Sequence, residues 1–204
     1  VAMTLATLDL PARVEAVAFF EPLFLTTPNS ERETELVIQP ANETGDHQVE
    51  VFSRDAAQLG QWRRHASLTV RDTAPLFSPL SVDIVHLQTQ LDPIAADALN
   101  QLYGRLSLTY GSMLAAVKRA WVGNGIALSE IRVPEALASQ IAHEPIHPVL
   151  LDACTRLTAD LFEVDHEPGV FWAPWQIDGV TLMRSAPRRF YAYVDQATRI
   201  NEPL

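Results

Sequence analysis

The sequence predicts an α+β fold in which a helix wrapped by an antiparallel sheet occurs twice. Three observations carry that expectation. Apolar runs with strand character, divided by turn-rich segments, succeed one another through the first third of the chain. The stretch HPVLLDACTRLTADLF, from residue 147, has apolar positions at helical spacing. Further strand-like runs follow it, so the second half repeats the order of the first.

Taken in order, VAMTLATLDL reads as a short helix. VEAVAFFEPLFL, ETELVIQPA, HQVEVFSRD and WRRHASLTVRD then read as strands of an antiparallel meander. Pro75 and Pro79 mark a linker, which carries a second apolar run, SVDIVHLQTQ. Within DPIAADALNQLYGRL, Asp92 is placed to cap a helix and Pro93 to occupy its first turn. AAVKRAWV and IALSEIRVP flank Gly123-Asn124-Gly125, whose glycines suit a tight hairpin. The helix from residue 147 has Leu150, Leu151, Cys154, Leu157 and Leu161 on one face. The strands VFWAPW, GVTLMRS and RRFYAYVDQ complete the second sheet. The expected division is 1–74 for the first helix-and-sheet unit, 75–107 for a linker with a helix, and 108–204 for the second. Such a repeat suggests a double hotdog, although periodicity alone equally allows another α+β arrangement.

Composition narrows the function. With 204 residues and 48% apolar content, the chain can bury a core. A net charge of -10 provides no basic stripe for phosphates, which argues against nucleic acid and anionic membrane surfaces as partners. No apolar run reaches the ~20 residues needed to span a bilayer. The start lacks the basic segment of a signal peptide, and the single cysteine, Cys154, suits a reducing compartment, so a cytoplasmic location is expected.

The motifs are more specific. His147-Pro148 opens a helix and Asp152 follows five residues after the histidine. The segment WRRHAS occupies residues 62 to 67, and Tyr110-Gly111 lies near the start of the second unit. In this order the segments resemble the dehydratase domains of modular polyketide synthases, and the resemblance runs over nearly the whole chain. It implies a double hotdog in which His147 and Pro148 open the second central helix and Asp152 is the catalytic acid. Tyr110 and Gly111 resemble the start of the family's Tyr-Gly-Pro-x-Phe motif, and WRRHAS the segment that closes its first hotdog.

The chemistry explains the acid. Removing water from a β-hydroxyacyl thioester needs a base for the α-proton and an acid for the departing hydroxyl. The family's base is a histidine within His-x-x-x-Gly-x-x-x-x-Pro, and none of His47, His65, His86, His143, His147 and His166 lies in that pattern. The first hotdog is therefore expected to be incomplete at its amino-terminal end. Arg156 stands four residues after Asp152, on the same helix face, where the family usually has Gln or His. A cation there favours a carboxylate over the carboxylic acid that dehydration requires. Ser112 and Leu114 replace the usual Pro and Phe of the Tyr-Gly motif.

Plainer roles compete for the same residues. Asp152 and Arg156 can form a surface pair worth a few tenths of a kcal/mol. His147 can cap the helix that Pro148 begins. Tyr110 and Gly111 can shape the start of a strand, and Trp121, Trp172 and Trp175 are expected in the core. The run His143-Glu144-Pro145-Ile146-His147 fits the His-Glu-x-x-His pattern of zinc proteases, but Pro145 would fall inside the helix that such a site needs, so no metal is expected. Cys154 sits in an apolar pattern without an evident base, Gly-x-Ser-x-Gly is absent, and Gly123-Asn124-Gly125 lacks the rest of a dinucleotide fingerprint.

Three functions follow. The reading the sequence favours is a dehydratase-like domain that receives carrier-bound intermediates without standard dehydration, in a variant role such as isomerisation or assisting a ketosynthase in chain branching. The second is part of an active dehydratase, and the third a scaffold without chemistry. All imply no cofactor in this domain, with substrate on the phosphopantetheine arm of an acyl carrier protein. The resemblance also implies an adjacent ketosynthase domain and a homodimeric parent synthase.

Overall fold

Alternating valines build the first sheet. In the computed structural model the described residues are 13–25, 27, 30–56, 60–71, 81–95, 97–99, 101, 111, 115–141, 147–155, 175–181 and 186–195. They divide between two compact units, one formed by Val1–Phe77 with Ala173–Met183 and the other by Ser78–Trp172 with Arg184–Leu204.

The first unit holds β1 (Arg13–Phe19), β2 (Arg32–Ile38), β3 (His47–Asp55), β4 (Arg63–Arg71) and β8 (Gln176–Thr181), in the order β2-β3-β4-β1-β8. The four strands read from the meander are all present, and every pairing is antiparallel. Val14, Val17, Val49, Leu68 and Val70 form its core. Val14 and Val17 are three residues apart, so plain alternation would place them on opposite faces. A bulge between Glu15 and Ala18, with Ala16 at φ 48°, inserts the extra residue that lets both valines share one core. The expected helix at residues 1 to 10 lies outside the described residues.

β8 corrects the expected division of the chain. Sequence order places it in the second unit, yet it pairs with β1 from Arg13↔Thr181 to Ala18↔Gln176. Nothing local in a strand's sequence names a partner this far away, because the pairing is set by cross-strand packing.

The second unit holds β5 (Asp92–Ile94), β6 (Val117–Gly123), β7 (Ile126–Arg132) and β9 (Arg189–Asp195), paired in that order. Gly123-Asn124-Gly125 behaves as read: Asn124 at φ 52° and Gly125 at φ 74° join β6 to β7 in a two-residue turn with both centres left-handed. β7 is buried on both faces. Ile131 and Ala116 pack with Leu150 and Ala153 in one cluster. Leu128 and Trp121 pack with Leu91 and with Ile84 and Leu87 of α1 (Ile84–Gln90).

Two details differ from the expectation here. SVDIVHLQTQ, taken as part of a linker, contains α1, capped by Asp83, whose carboxylate accepts from His86 N–H at 3.0 Å. Asp92 and Pro93 do not start a helix; they lie in β5, opposite Val122 and Trp121. β5 is an edge strand, where a proline's missing N–H costs no ladder bond. Helical backbone follows at residues 97–99.

Candidate functional site

The helix that carries Asp152 is held in place by the residue before it. α2 (Ala138–Ile141) precedes, and α3 (Pro148–Thr155) begins directly after His147. His147 is buried, its carbonyl accepts from Leu150 and Leu151 N–H at 2.9 and 3.1 Å, and its Nδ1 accepts from Val149 N–H at 3.2 Å. An accepting Nδ1 places the ring proton on Nε2, which faces Gln140 Oε1 at 3.4 Å. His147 is thus an N-cap, satisfying an amide that a helix start leaves unpaired, and Pro148 takes the first helical position, where its missing N–H is harmless.

Leu150 and Ala153 are buried against Ile131 and Ala116, which fixes the rotation of α3 about its axis and, with it, the position of Asp152. Asp152 itself is half-buried. Cys154, two residues on, is pushed up to about 11 by burial, so its thiol stays neutral and is no nucleophile. Gly111 is exposed, with open space where a Cβ would stand. Tyr110 and Arg156 lie outside the described residues, as do His143 to Ile146 and Trp172. Among the described residues no group of three His, Cys, Asp or Glu side chains could hold a metal. No helix among them is long and apolar enough to cross a membrane.

Three placements depart from sequence reasoning. Trp121 is in the core as expected, but Trp175 is 71% exposed. His65, from WRRHAS, is buried and joins Ser53 Oγ at 2.7 Å through Nε2 and the Glu21 carbonyl at 2.8 Å through Nδ1. A carbonyl only accepts, so Nδ1 donates to it, and the Ser53 hydroxyl donates to Nε2. This pair ties β3, β4 and the segment after β1 together.

The third is Glu130, whose side chain is fully buried. Its Oε2 accepts from Arg119 at 2.8 and 2.5 Å, and its Oε1 from Arg132 at 2.7 Å and Arg189 at 3.0 Å. Burial pushes this carboxyl up, but hydrogen bonds from Arg132 and Arg119 outweigh it and hold the group below its ordinary value. The hairpin register, which sets Arg119 opposite Glu130, was the signal available in the sequence.

Comparison with known proteins gives one consistent result. A family model of the polyketide synthase dehydratase N-terminal domain matches residues 79–203. The chain is similar to a solved dehydratase domain from the CurH module of curacin polyketide synthase, at 52% identity and a TM-score of 0.89, covering 98% of this chain and 70% of that one. The dehydratase domain from the CurF module shares the fold at 23% identity and a TM-score of 0.79, covering 98% of this chain and 70% of that one. Polyketide synthase PksN of Bacillus subtilis (strain 168) is 22% identical over 167 residues, which cover 79% of this chain. Those residues are 3% of that synthase, so the chain spans a small part of its curated relative.

Proposed function

Because the chain belongs to the family of polyketide synthase dehydratase domains, with their double hotdog fold, we propose that Asp152 serves as the acid in removing water from a β-hydroxyacyl thioester. The observation that carries this reading is the 52% identity, over 98% of the chain, to a domain described as a dehydratase. The thioester carbonyl acidifies the α-carbon, a base takes the α-proton, and the electron pair forms the α,β double bond as the β-hydroxyl leaves. Asp152 gives that hydroxyl its proton, so that water departs and not hydroxide. His147 and Pro148 are positioning residues: they fix the first turn of α3, one turn before the acid.

The substrate in this reading arrives on the phosphopantetheine arm of an acyl carrier protein and is passed on toward an adjacent ketosynthase. No cofactor enters, because the reaction is a proton transfer at each end of one bond. No histidine of this sequence carries the family's motif, so this reading assigns the acid and leaves the base unassigned among these residues.

A second reading is favoured by Arg156 and by Ser112 and Leu114 in the Tyr-Gly segment. In it the domain receives the same thioesters but isomerises them or assists chain branching without losing water. Dehydration run in reverse separates the two. The chain within its parent synthase, given an α,β-unsaturated acyl carrier thioester, is expected to consume the conjugated enoyl absorbance, and Asp152→Asn to stop it. Loss of that absorbance with no water added to the acyl chain, and a shifted double bond in the recovered chain, would support the second reading.

A further inference from the structure

Glu130 points to the face of β7 that turns away from α3. Ile131, the next residue, packs on Leu150 and Ala153, and successive side chains of a strand take opposite faces. On the Glu130 face, Ile84 and Leu87 of α1 pack against Leu128 and Trp121. Beyond them the same face is covered by arginines. β6 brings Arg119 opposite Glu130, while β7 and β9 set Arg132 directly opposite Arg189. Like charges directly opposite one another destabilise a sheet, so this pair depends on an anion.

Glu130 supplies one carboxylate to three guanidinium groups. Its oxygens accept from Arg119, Arg132 and Arg189, which fills a carboxylate's capacity and still leaves an excess of two positive charges. The three arginine side chains remain 52 to 57% exposed, and each guanidinium carries five donors. In a chain of net charge -10 this is a concentrated patch of the opposite sign. The groups are also held in place: Glu130 engages each through its Nε, and Arg119 and Arg189 lie over the Trp121 and Tyr191 rings at 5.4 and 5.9 Å. An anion meeting side chains already anchored in this way freezes little further freedom.

Shape and charge select the anion. The guanidinium groups are spread over three neighbouring strands, a span of about 10 Å by ordinary strand spacing, on the outer face of a sheet. Small ligands are held instead in clefts. A nucleic acid or an anionic membrane would carry its charge past the patch and over the acidic remainder of the chain, which repels it. A second copy meeting patch to patch would oppose like charges. A short run of carboxylates on a protein matches the patch without these costs, because Arg pairs with carboxylates through parallel hydrogen bonds. We propose that Arg119, Arg132 and Arg189 form the docking surface for an acidic segment of a neighbouring domain in the parent synthase, whose Asp and Glu side chains complete the charge balance that Glu130 begins. The patch faces away from α3, so this contact does not depend on the role of Asp152.

The test replaces Tyr191, which lies opposite Glu130, by the photoreactive residue p-benzoylphenylalanine within the parent synthase, and identifies the cross-linked peptide by mass spectrometry. The expected product joins position 191 to a peptide of another domain rich in Asp and Glu. Adding Arg132→Gln and Arg189→Gln is expected to lower its yield several-fold, and Asp152→Asn to leave it unchanged whether or not water loss survives. No cross-link, a cross-link to a neutral or basic peptide, or a yield indifferent to the two arginines would overturn the proposal. A second measurement needs no substitution at the patch. Phenylglyoxal, which modifies accessible guanidinium groups, is expected to react with Arg119, Arg132 and Arg189 of the wild-type synthase several-fold faster in about 1 M salt, where charge is screened beyond ~3 Å, than in dilute buffer. Arg63, 66% exposed in the other unit, is the control and is expected to react alike in both. The buried carboxylate of Glu130 is screened little, so the change reports the outer partner. Equal reaction of the three arginines in both buffers would contradict docking.

Discussion

At the residue scale, the strongest local commitments are made by His147 and Glu130. His147→Ala removes the acceptor for Val149 N–H and is expected to cost about 1 kcal/mol of stability, the usual loss for a helix cap, with His147→Asn restoring much of it. Denaturant titration of the three proteins checks this. Glu130 is a buried carboxylate surrounded by three half-exposed guanidinium groups. Glu130→Gln removes the group on which all three converge and is expected to destabilise by roughly 1–3 kcal/mol. Arg132→Gln leaves two partners in place and should cost less. Because the folded carboxyl lies below its ordinary 4.5, Glu130 contributes stability above that value and loses it as pH falls through the lowered one. Glu130→Gln should therefore flatten the acid side of the stability curve, and a curve as steep as the wild type's would contradict the assignment. The cap was legible in the sequence, since His-Pro before a helical pattern has few other uses. Trp175 was not, because nothing in its neighbouring residues distinguishes a tryptophan bound for the core from one on an exposed rim.

At the element scale, what could be read followed local chemistry, and what could not depended on distant pairing. The β6–β7 hairpin was legible because Asn124 and Gly125 accept the left-handed backbone that a two-residue turn requires. Gly125→Ala, at φ 74°, is expected to lower stability by about 1 kcal/mol. In β1 the opposite change should help: Ala16 sits at φ 48° in the bulge, so Ala16→Gly relieves a left-handed alanine and is expected to be neutral or to stabilise by up to about 1 kcal/mol. Thermal melts of both variants check the pair. Asp92-Pro93 carries a good helix-start signal yet forms a strand, since pairing with Trp121 and Val122 decides its conformation. Asp83 caps a separate helix, α1, which lies in an apolar run that the sequence places in the linker. β8 was recognised as a strand but assigned to the wrong unit, because only its register with β1 reveals where it belongs.

At the scale of the whole molecule, the two units each bring an antiparallel sheet, and the second adds α3 against its sheet with Asp152 half-buried. The family was legible from a few ordered motifs, while the site was legible only in part. His147, Pro148 and Asp152 fall together on α3, whereas Tyr110 and Arg156 lie outside the described residues. The central claim is that Asp152 acts as the acid of a dehydration. It is tested most directly by loading a β-hydroxyacyl chain on the acyl carrier protein, incubating it with the domain in its parent synthase, and weighing the carrier by mass spectrometry, with Asp152→Asn alongside. The account expects the wild type to remove one water from the acyl chain and Asp152→Asn to leave the hydroxyl in place. Water lost equally by both, or by neither, would contradict it.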